Sequence, residues 1–215
     1  IYLDNAATTQ IDPQVIEAIC KVMEENYGNP SSTHGFGRAA RAEIEKARRQ
    51  VSSYLKISPA EVFFTSGGTE ADNMAILCSI RDLGVTRIIT TKIEHHAILH
   101  AVEAAEAAEH VKVSYVKLTE NGHVDLNHLQ ELLKTEDKTL VSLMHANNEI
   151  GNLLDLQKVS GMCRASGAYF HSDTVQTMCH YKFDLSELDI DFITASIHKF
   201  HGPKGIGFLY INSNV

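Results

Sequence analysis

The chain has 215 residues, 44% hydrophobic and 21% charged, enough apolar content for one large α/β domain or two small ones, which excludes a disordered chain. Its 27 acidic and 19 basic residues give a formal net charge of -8 with no basic stripe, which argues against a nucleic-acid partner. No window approaches the roughly 18 consecutive apolar residues of a membrane helix, and the N-terminus lacks a charged-then-apolar leader, so a cytoplasmic chain without a membrane partner is expected.

Asp12 and Pro13 supply an N-cap and a first-turn proline. Val15, Ile16, Ile19, Val22 and Met23 then recur at helical spacing, predicting a first helix stopped by Gly28. A second helix, rich in Ala, Arg and Glu, is expected from Arg38 to Leu55. Beyond it the pattern changes to short β-rich runs: Glu61 to Thr65, Arg87 to Thr91, Val111 to Tyr115, Thr139 to Met144, Ala168 to Ser172 and Asp191 to Ser196. Most are separated by helix-like segments, which predicts an α/β fold with a mainly parallel sheet sandwiched by helices. The last run, Gly207 to Ile211, follows Lys199 too closely for a helical crossover and should pair antiparallel. No repeat, low-complexity tract or linker divides the chain. Cys20, Cys78, Cys163 and Cys179 are far apart and sit in apolar or helical contexts, so buried free thiols are expected rather than disulfides or metal ligands.

Ligands of such sheets bind beyond the carboxyl ends of the strands, where the polar motifs fall. From Phe63 to Glu70 a strand runs into Gly67 and Gly68 and then a helix expected over Ala71 to Arg81. Backbone N–H groups there, with the hydroxyls of Ser66 and Thr69, make an anion cradle; the alternative is an ordinary turn capped by Thr69. Gly35 to Ala40 matches a G-x-G-x-x-A dinucleotide fingerprint, but a loop precedes it where a strand is required, so it is rejected. Lys204 likewise lacks the rest of a Walker loop. Asp173 ends a buried apolar strand and needs a cation or donors, with Gln176 close by. The stretch Met144 to Glu149 is another strand end, breaking into amides that either cap the backbone or serve a ligand. Lys199 follows a buried strand, where lost solvation lowers an amine's pKa and makes it a nucleophile toward an aldehyde; a surface salt bridge is the alternative. His95 is suited to be a flat ring over a ligand or a proton carrier. His96 with His100, and His198 with His201, raise a metal reading, but no H-E-x-x-H or third nearby ligand accompanies them and no metal is expected. One lysine, one acid, an anion cradle and amide donors on different strand ends are the parts a pyridoxal 5'-phosphate site needs.

Taken together, YLDNAATT from Tyr2, GNPSS from Gly28, TSGGTE from Thr65, Glu94 with His95, HANNEIG from His145, His171 to Asp173 with Gln176, and SIHKFHGPKGIG from Ser196 resemble the NifS/IscS-type cysteine desulfurases. These lie in the class V aminotransferase branch of the fold-type I pyridoxal phosphate enzymes, and the resemblance runs in order over essentially the whole chain. It implies that Lys199 carries the cofactor and later shuttles protons, and that Asp173 pairs with the pyridinium nitrogen. Gln176 and Asn148 would donate to the phenolic oxygen, His95 would stack on the ring and move protons, and Gly68, Thr69, Ser196 and His198 would hold the phosphate. Asn5, Ala6 and Ala7, with Asn148, would lie near the substrate. Thr174 and Val175 stand where the family often has alanine, a change expected to affect packing more than chemistry.

Family members run further, into a small C-terminal domain that brings the sulfur-accepting cysteine and an arginine for the substrate carboxylate. None of the four cysteines here occupies a matching position, so residues 1–215 are read as the cofactor-binding large domain with its N-terminal segment. The implied activity converts L-cysteine to L-alanine and passes a persulfide sulfur to an acceptor or scaffold protein, as in iron–sulfur cluster assembly. A homodimer whose neighbouring subunit adds a phosphate ligand is implied too. Selenocysteine lyase shares these motifs, and a truncated cofactor-binding module without turnover is the non-catalytic alternative. The stretch Asn147 to Gly151 argues against a class V aminotransferase or epimerase activity.

Overall fold

Side-chain alternation along the strands decides the layers. The computed structural model of the chain describes residues 1–108 and 111–215. In chain order the elements are α1 (Pro13–Glu25), α2 (Gly35–Leu55), β1 (Val62–Thr65), α3 (Gly68–Arg81), β2 (Arg87–Thr90), α4 (His96–Ala107), β3 (Lys112–Tyr115), α5 (Leu126–Leu132), β4 (Thr139–Ser142), α6 (Leu156–Ser166), β5 (Tyr169–Asp173), β6 (Phe192–Ser196) and β7 (Gly207–Ile211). Ile88, Leu140, Phe192 and Leu209 face Ala75, Ile98 and Val102 of α3 and α4 in one buried cluster. Their strand neighbours Ile89, Val141, Ile193 and Phe208 join Leu55, Leu129 and Val159 of α2, α5 and α6 in the other. A sheet buried on both faces needs apolar residues at successive positions, and these strands supply them.

The sheet order is β1-β7-β6-β5-β4-β2-β3. The pairs among β2, β3, β4, β5 and β6 are parallel, and β7 runs antiparallel to both β1 and β6. The expected α/β sandwich is therefore found, including the antiparallel last strand. Its parallel strands point their carboxyl ends to one edge, and the site is built there.

Several local expectations are corrected. Helix α1 ends at Glu25, capped by Asn26, whose N–H donates to the Val22 carbonyl; Gly28 is not its stop. Gly28 is instead a close-approach point, because a Cβ there would lie 2.4 Å from the Phe36 carbonyl oxygen. Helix α2 begins at Gly35 rather than Arg38, with His34 Nδ1 accepting from the Gly37 N–H. The G-x-G-x-x-A stretch is thus a helix start packed on a loop, with no strand before it, in line with its rejection. Of the cysteines only Cys163 is buried; Cys78 is half-buried, and Cys20 and Cys179 are exposed. For Cys20 the reason is that none of the residues of α1, amphipathic by pattern, is buried. No helix among the described residues is long and apolar enough to cross a membrane.

Candidate active site

The carboxyl ends of β1, β2, β4, β5 and β6 open on one cavity of about 670 Å³. Gly68 and Thr69 line it after β1, His95 after β2, Asn148 after β4, Asp173 and Gln176 from β5, and Ser196, His198 and Lys199 from β6. Ala6 and Ala7 reach it from the N-terminal segment, whereas Asn5 does not line it. Asp4, Asp72, Met144, Glu149 and Val175 also line it; Met144, Glu149 and Val175 stood in stretches the sequence drew attention to, but none of the five was expected as a site residue.

The turn from β1 into α3 is shaped for an anion. The helix starts at Gly68 and its cap is Gly67, with no side-chain cap, so Thr69 is not the N-cap and its hydroxyl is not spent there. The N–H of Ser66 donates to Glu70 at 2.6 Å. The backbone N–H and the hydroxyl of Ser66 together hold that carboxyl below its usual range. Ser66 is therefore engaged by Glu70, and Gly68 and Thr69 are left as the cradle at the positive end of α3. Gly68 is required by proximity: a Cβ there would meet Val175 Cγ2 at 2.9 Å. Val175 thus packs directly under the cradle.

A buried clamp brings His95 and Asn148 together. Glu94 accepts from the Thr91 hydroxyl at 2.6 Å and from the Met144 N–H at 2.8 Å, and burial pushes its pKa up to about 8. Asn147 donates to the Ile93 carbonyl at 2.7 Å and accepts from the N–H groups of Glu149 and Ile150. The loops after β2 and β4 are therefore tied twice. Asn147 is spent on this tie, which leaves Asn148 as the amide that faces the cavity. His95 Nδ1 accepts from the Ala97 N–H at 3.2 Å and so caps α4. With Nδ1 an acceptor, a neutral imidazole carries its proton on Nε2.

Glu94 carries a pH prediction. Its folded pKa lies above its unfolded one, so between them the folded chain holds a proton that the unfolded chain has released, and stability falls as pH rises. From about pH 5 to about pH 8, denaturant titrations of Glu94→Gln are expected to lose less stability than wild type. Equal slopes would show that Glu94 is ionised in the fold. Glu94→Leu strands the Met144 N–H and should cost about 1–3 kcal/mol near pH 5, with the difference from wild type shrinking toward about pH 8.

Asp173 is buried at the end of β5, and the Val175 N–H donates to its Oδ1 at 2.8 Å. Burial pushes its pKa up, while that N–H, His95 and Lys199 pull it back. Lys199 is half-buried; burial lowers its pKa, and Asp173 and Asp4 oppose the shift. Its Nζ donates to the Ala6 carbonyl, not to a surface carboxylate, and Gln176 Nε2 donates to the same oxygen at 3.0 Å. The N-terminal strap thus lies across the amine.

The histidines around Lys199 hold that strap. The His198 carbonyl accepts from the Thr9 N–H at 2.9 Å, and His198 Nδ1 lies 3.1 Å from the Thr8 hydroxyl. The His201 N–H donates to Thr9 Oγ1 at 2.7 Å, and the His201 carbonyl accepts from the Asp12 N–H. His201 has φ 67°, a left-handed conformation that these bonds on both sides of the residue sustain. His198 also lines the cavity, its pKa lowered by burial and by Lys199 and Lys204. His96 and His100 stack on α4 with ring centroids 5.5 Å apart, and no group of three or more potential metal ligands is found among the described residues.

Comparisons with known proteins agree with this architecture. The family described as aminotransferase class-V matches residues 1–215. The cysteine desulfurase IscS of Clostridium botulinum (strain Hall) is 42% identical over 217 residues, which cover 100% of this chain and 54% of that protein. A solved NifS-like protein superposes with a TM-score of 0.94 at 40% identity, covering 100% of this chain and 60% of that one. A structure described as SspA in complex with cysteine gives a TM-score of 0.92 at 29% identity, over 99% of this chain and 61% of that one. The chain spans about half the length of the curated relatives it matches. With the match running from the first residue to the last, and with the same fold in its structural neighbours, the chain belongs to the aminotransferase class-V family.

Proposed function

We propose that the chain is the cofactor-binding part of a pyridoxal 5'-phosphate-dependent cysteine desulfurase, which converts L-cysteine to L-alanine and hands the sulfur to an acceptor or scaffold protein. The observation that carries this reading is a half-buried amine, Lys199, and a buried carboxylate, Asp173, in one cavity with the open N-terminus of α3. The donor set fits the cofactor part by part. Gly68, Thr69, Ser196 and His198 would hold the phosphate, Asp173 the ring nitrogen, Gln176 and Asn148 the ring hydroxyl, His95 the ring face, and Lys199 the aldehyde. When bound, the group supplies an electron sink for the pair left as a substrate Cα loses its proton.

The remaining work falls to the chain's own residues. Burial keeps a larger share of Lys199 neutral than an exposed lysine would have, so Nζ can accept a proton at neutral pH and return it. The Val175 N–H, His95 and Lys199 oppose the burial that raises the pKa of Asp173, so its carboxylate would hold positive charge at the ring nitrogen. Gln176 and Lys199 must leave the Ala6 carbonyl to reach a ligand, so occupation of the cavity loosens the strap. The sulfur-accepting thiol is assigned to a segment beyond residues 1–215, since no cysteine lines the cavity among the described residues. A cytoplasmic homodimer fits this reading, and the exposed Ile16, Val22, Met23 and Tyr27 of the N-terminal region offer apolar surface to a partner or a further domain.

The test is turnover by the full-length protein with a dithiol present to reduce the enzyme-bound persulfide or its selenium counterpart, reading alanine and sulfide from L-cysteine and alanine and selenide from L-selenocysteine. Alanine and sulfide in equal amounts are expected. Turnover of selenocysteine alone would make the protein a selenocysteine lyase, and turnover of neither, with cofactor bound, would leave a binding module.

A further inference from the structure

Asp72 has no part in the function just described, yet it lines the same cavity from α3, 1% exposed, and its Oδ1 has no hydrogen-bond partner. A buried carboxyl oxygen without a donor is costly if it carries charge. The groups that bear on it come from every element packed there. From β5 come Asp173 and His171, from the loop after β2 comes Glu94, and from β6 comes the Thr194 hydroxyl, which opposes the upward shift of the Asp72 carboxyl.

None of these neighbours offers Asp72 a positive charge. His171 Nε2 is 3.6 Å from Asp72 Oδ1 and 3.1 Å from Thr194 Oγ1, while its Nδ1 is 2.9 Å from Ser142 Oγ. Burial drives this imidazole down to about 3, so it is neutral at working pH. Lys199 and His95 act on Asp173. Burial first, and then the charge of Asp173, push the Asp72 carboxyl well above the usual carboxylate range. Two carboxyls buried in the wall of one cavity, each in the other's field, do not both ionise. The division is set by their surroundings: Asp173 has a backbone N–H and two nearby basic side chains, whereas only the Thr194 hydroxyl pulls the Asp72 carboxyl down.

We propose that Asp72 is a positioning residue that carries the proton of a buried acid–carboxylate pair, so that Asp173 remains the single anion offered to the cofactor's ring nitrogen. This rests on the cofactor reading above. The placement also explains why an ionised Asp72 would be harmful. It lies one turn into α3, just behind Thr69, and a negative charge there would cancel the favourable field of the helix N-terminus toward a phosphate.

Infrared spectroscopy of the cofactor-free chain at neutral pH tests the proton directly, through the C=O stretch of a protonated carboxyl. Glu94→Gln serves as the background, because Glu94 contributes a band of its own. In that background Asp72→Asn is expected to remove the remaining band and Asp173→Asn to leave it in place. A band that survives Asp72→Asn, or that vanishes with Asp173→Asn, overturns the proposal. Asparagine imitates the neutral acid, so Asp72→Asn should fold as wild type does and bind pyridoxal 5'-phosphate within about threefold of wild-type affinity, with the same absorption maximum. Loss of fold, or a loss of affinity beyond about tenfold, would mean that the charge of Asp72 is needed and would overturn it equally. If wild type itself fails to bind the cofactor, the cofactor reading falls while the infrared comparison still decides where the proton resides.

Discussion

Lys199→Ala is expected to abolish covalent capture of pyridoxal 5'-phosphate: after borohydride treatment and proteolysis, wild type yields a pyridoxyl-modified peptide containing Lys199 and the variant yields none. Lys199 is the lysine that lines the cavity among the described residues, and its lowered pKa leaves more of the amine unprotonated and reactive. In the full-length protein, turnover should fall by at least about 10²–10⁴-fold, the range supplied by a positioned acid–base group alone. The fold should survive, because Gln176 still donates to the Ala6 carbonyl and Thr9 and Asp12 still tie the strap to the His198 and His201 carbonyls. Asp173 loses one of the groups that pull its pKa down, so its carboxyl rises further and non-covalent cofactor binding weakens as well. A modified peptide in the variant, or one mapping to another lysine in wild type, would remove Lys199 from the role proposed for it.

Which parts of this site were legible in the sequence follows from how locally each is encoded. Lys199 and Asp173 stand at the ends of apolar strands, where a charged residue conflicts with its surroundings, and that conflict is visible in a short window. The sheet was legible for the same reason: successive apolar residues in β2, β4 and β6 can only be satisfied by cover on both faces. The Glu94 clamp was not, because its partner Met144 lies 50 residues away and a backbone N–H leaves no mark in the sequence. The lacing of Thr8 to His198 spans 190 residues, so the histidines beside Lys199 suggested ligands when part of their task is to hold the strap. Nothing in the sequence around Asp72 marks it out; only the sheet beneath α3 makes it buried, with Oδ1 unpartnered. For α1 the periodicity indicated a helix correctly, but an amphipathic pattern does not say what covers its apolar face.

Gly207→Ala should be the most damaging small substitution in the sheet. Gly207 begins β7 and pairs with Thr65 of β1 on one side and Ser196 of β6 on the other. A Cβ there would lie 2.5 Å from the Ala195 carbonyl oxygen and 2.9 Å from both the Cα and the carbonyl carbon of Gly67. All three are backbone atoms, so no rotamer change relieves the clash, and the strands must separate. Overpacking of this kind costs about 1–3 kcal/mol, a fall in Tm of roughly 2–12 °C for a chain of this size. The separation falls between Ser196 and Gly67, the residue that leads into Gly68 and Thr69 of the anion cradle, so affinity for pyridoxal 5'-phosphate should drop more than the loss of stability alone would cause. Gly161→Ala is the control: Gly161 lies within α6 with nothing within 4 Å of its Cβ position. There the same exchange should stabilise by about 0.5–1 kcal/mol, because alanine loses less backbone freedom on entering a helix. Thermal unfolding of the two variants gives opposite signs, and calorimetric titration shows weakened binding in Gly207→Ala alone, if the close approach of β7 to the Gly67 turn is as described. A Gly207→Ala protein as stable as wild type would mean that this turn yields freely, and the cradle would then not be preformed.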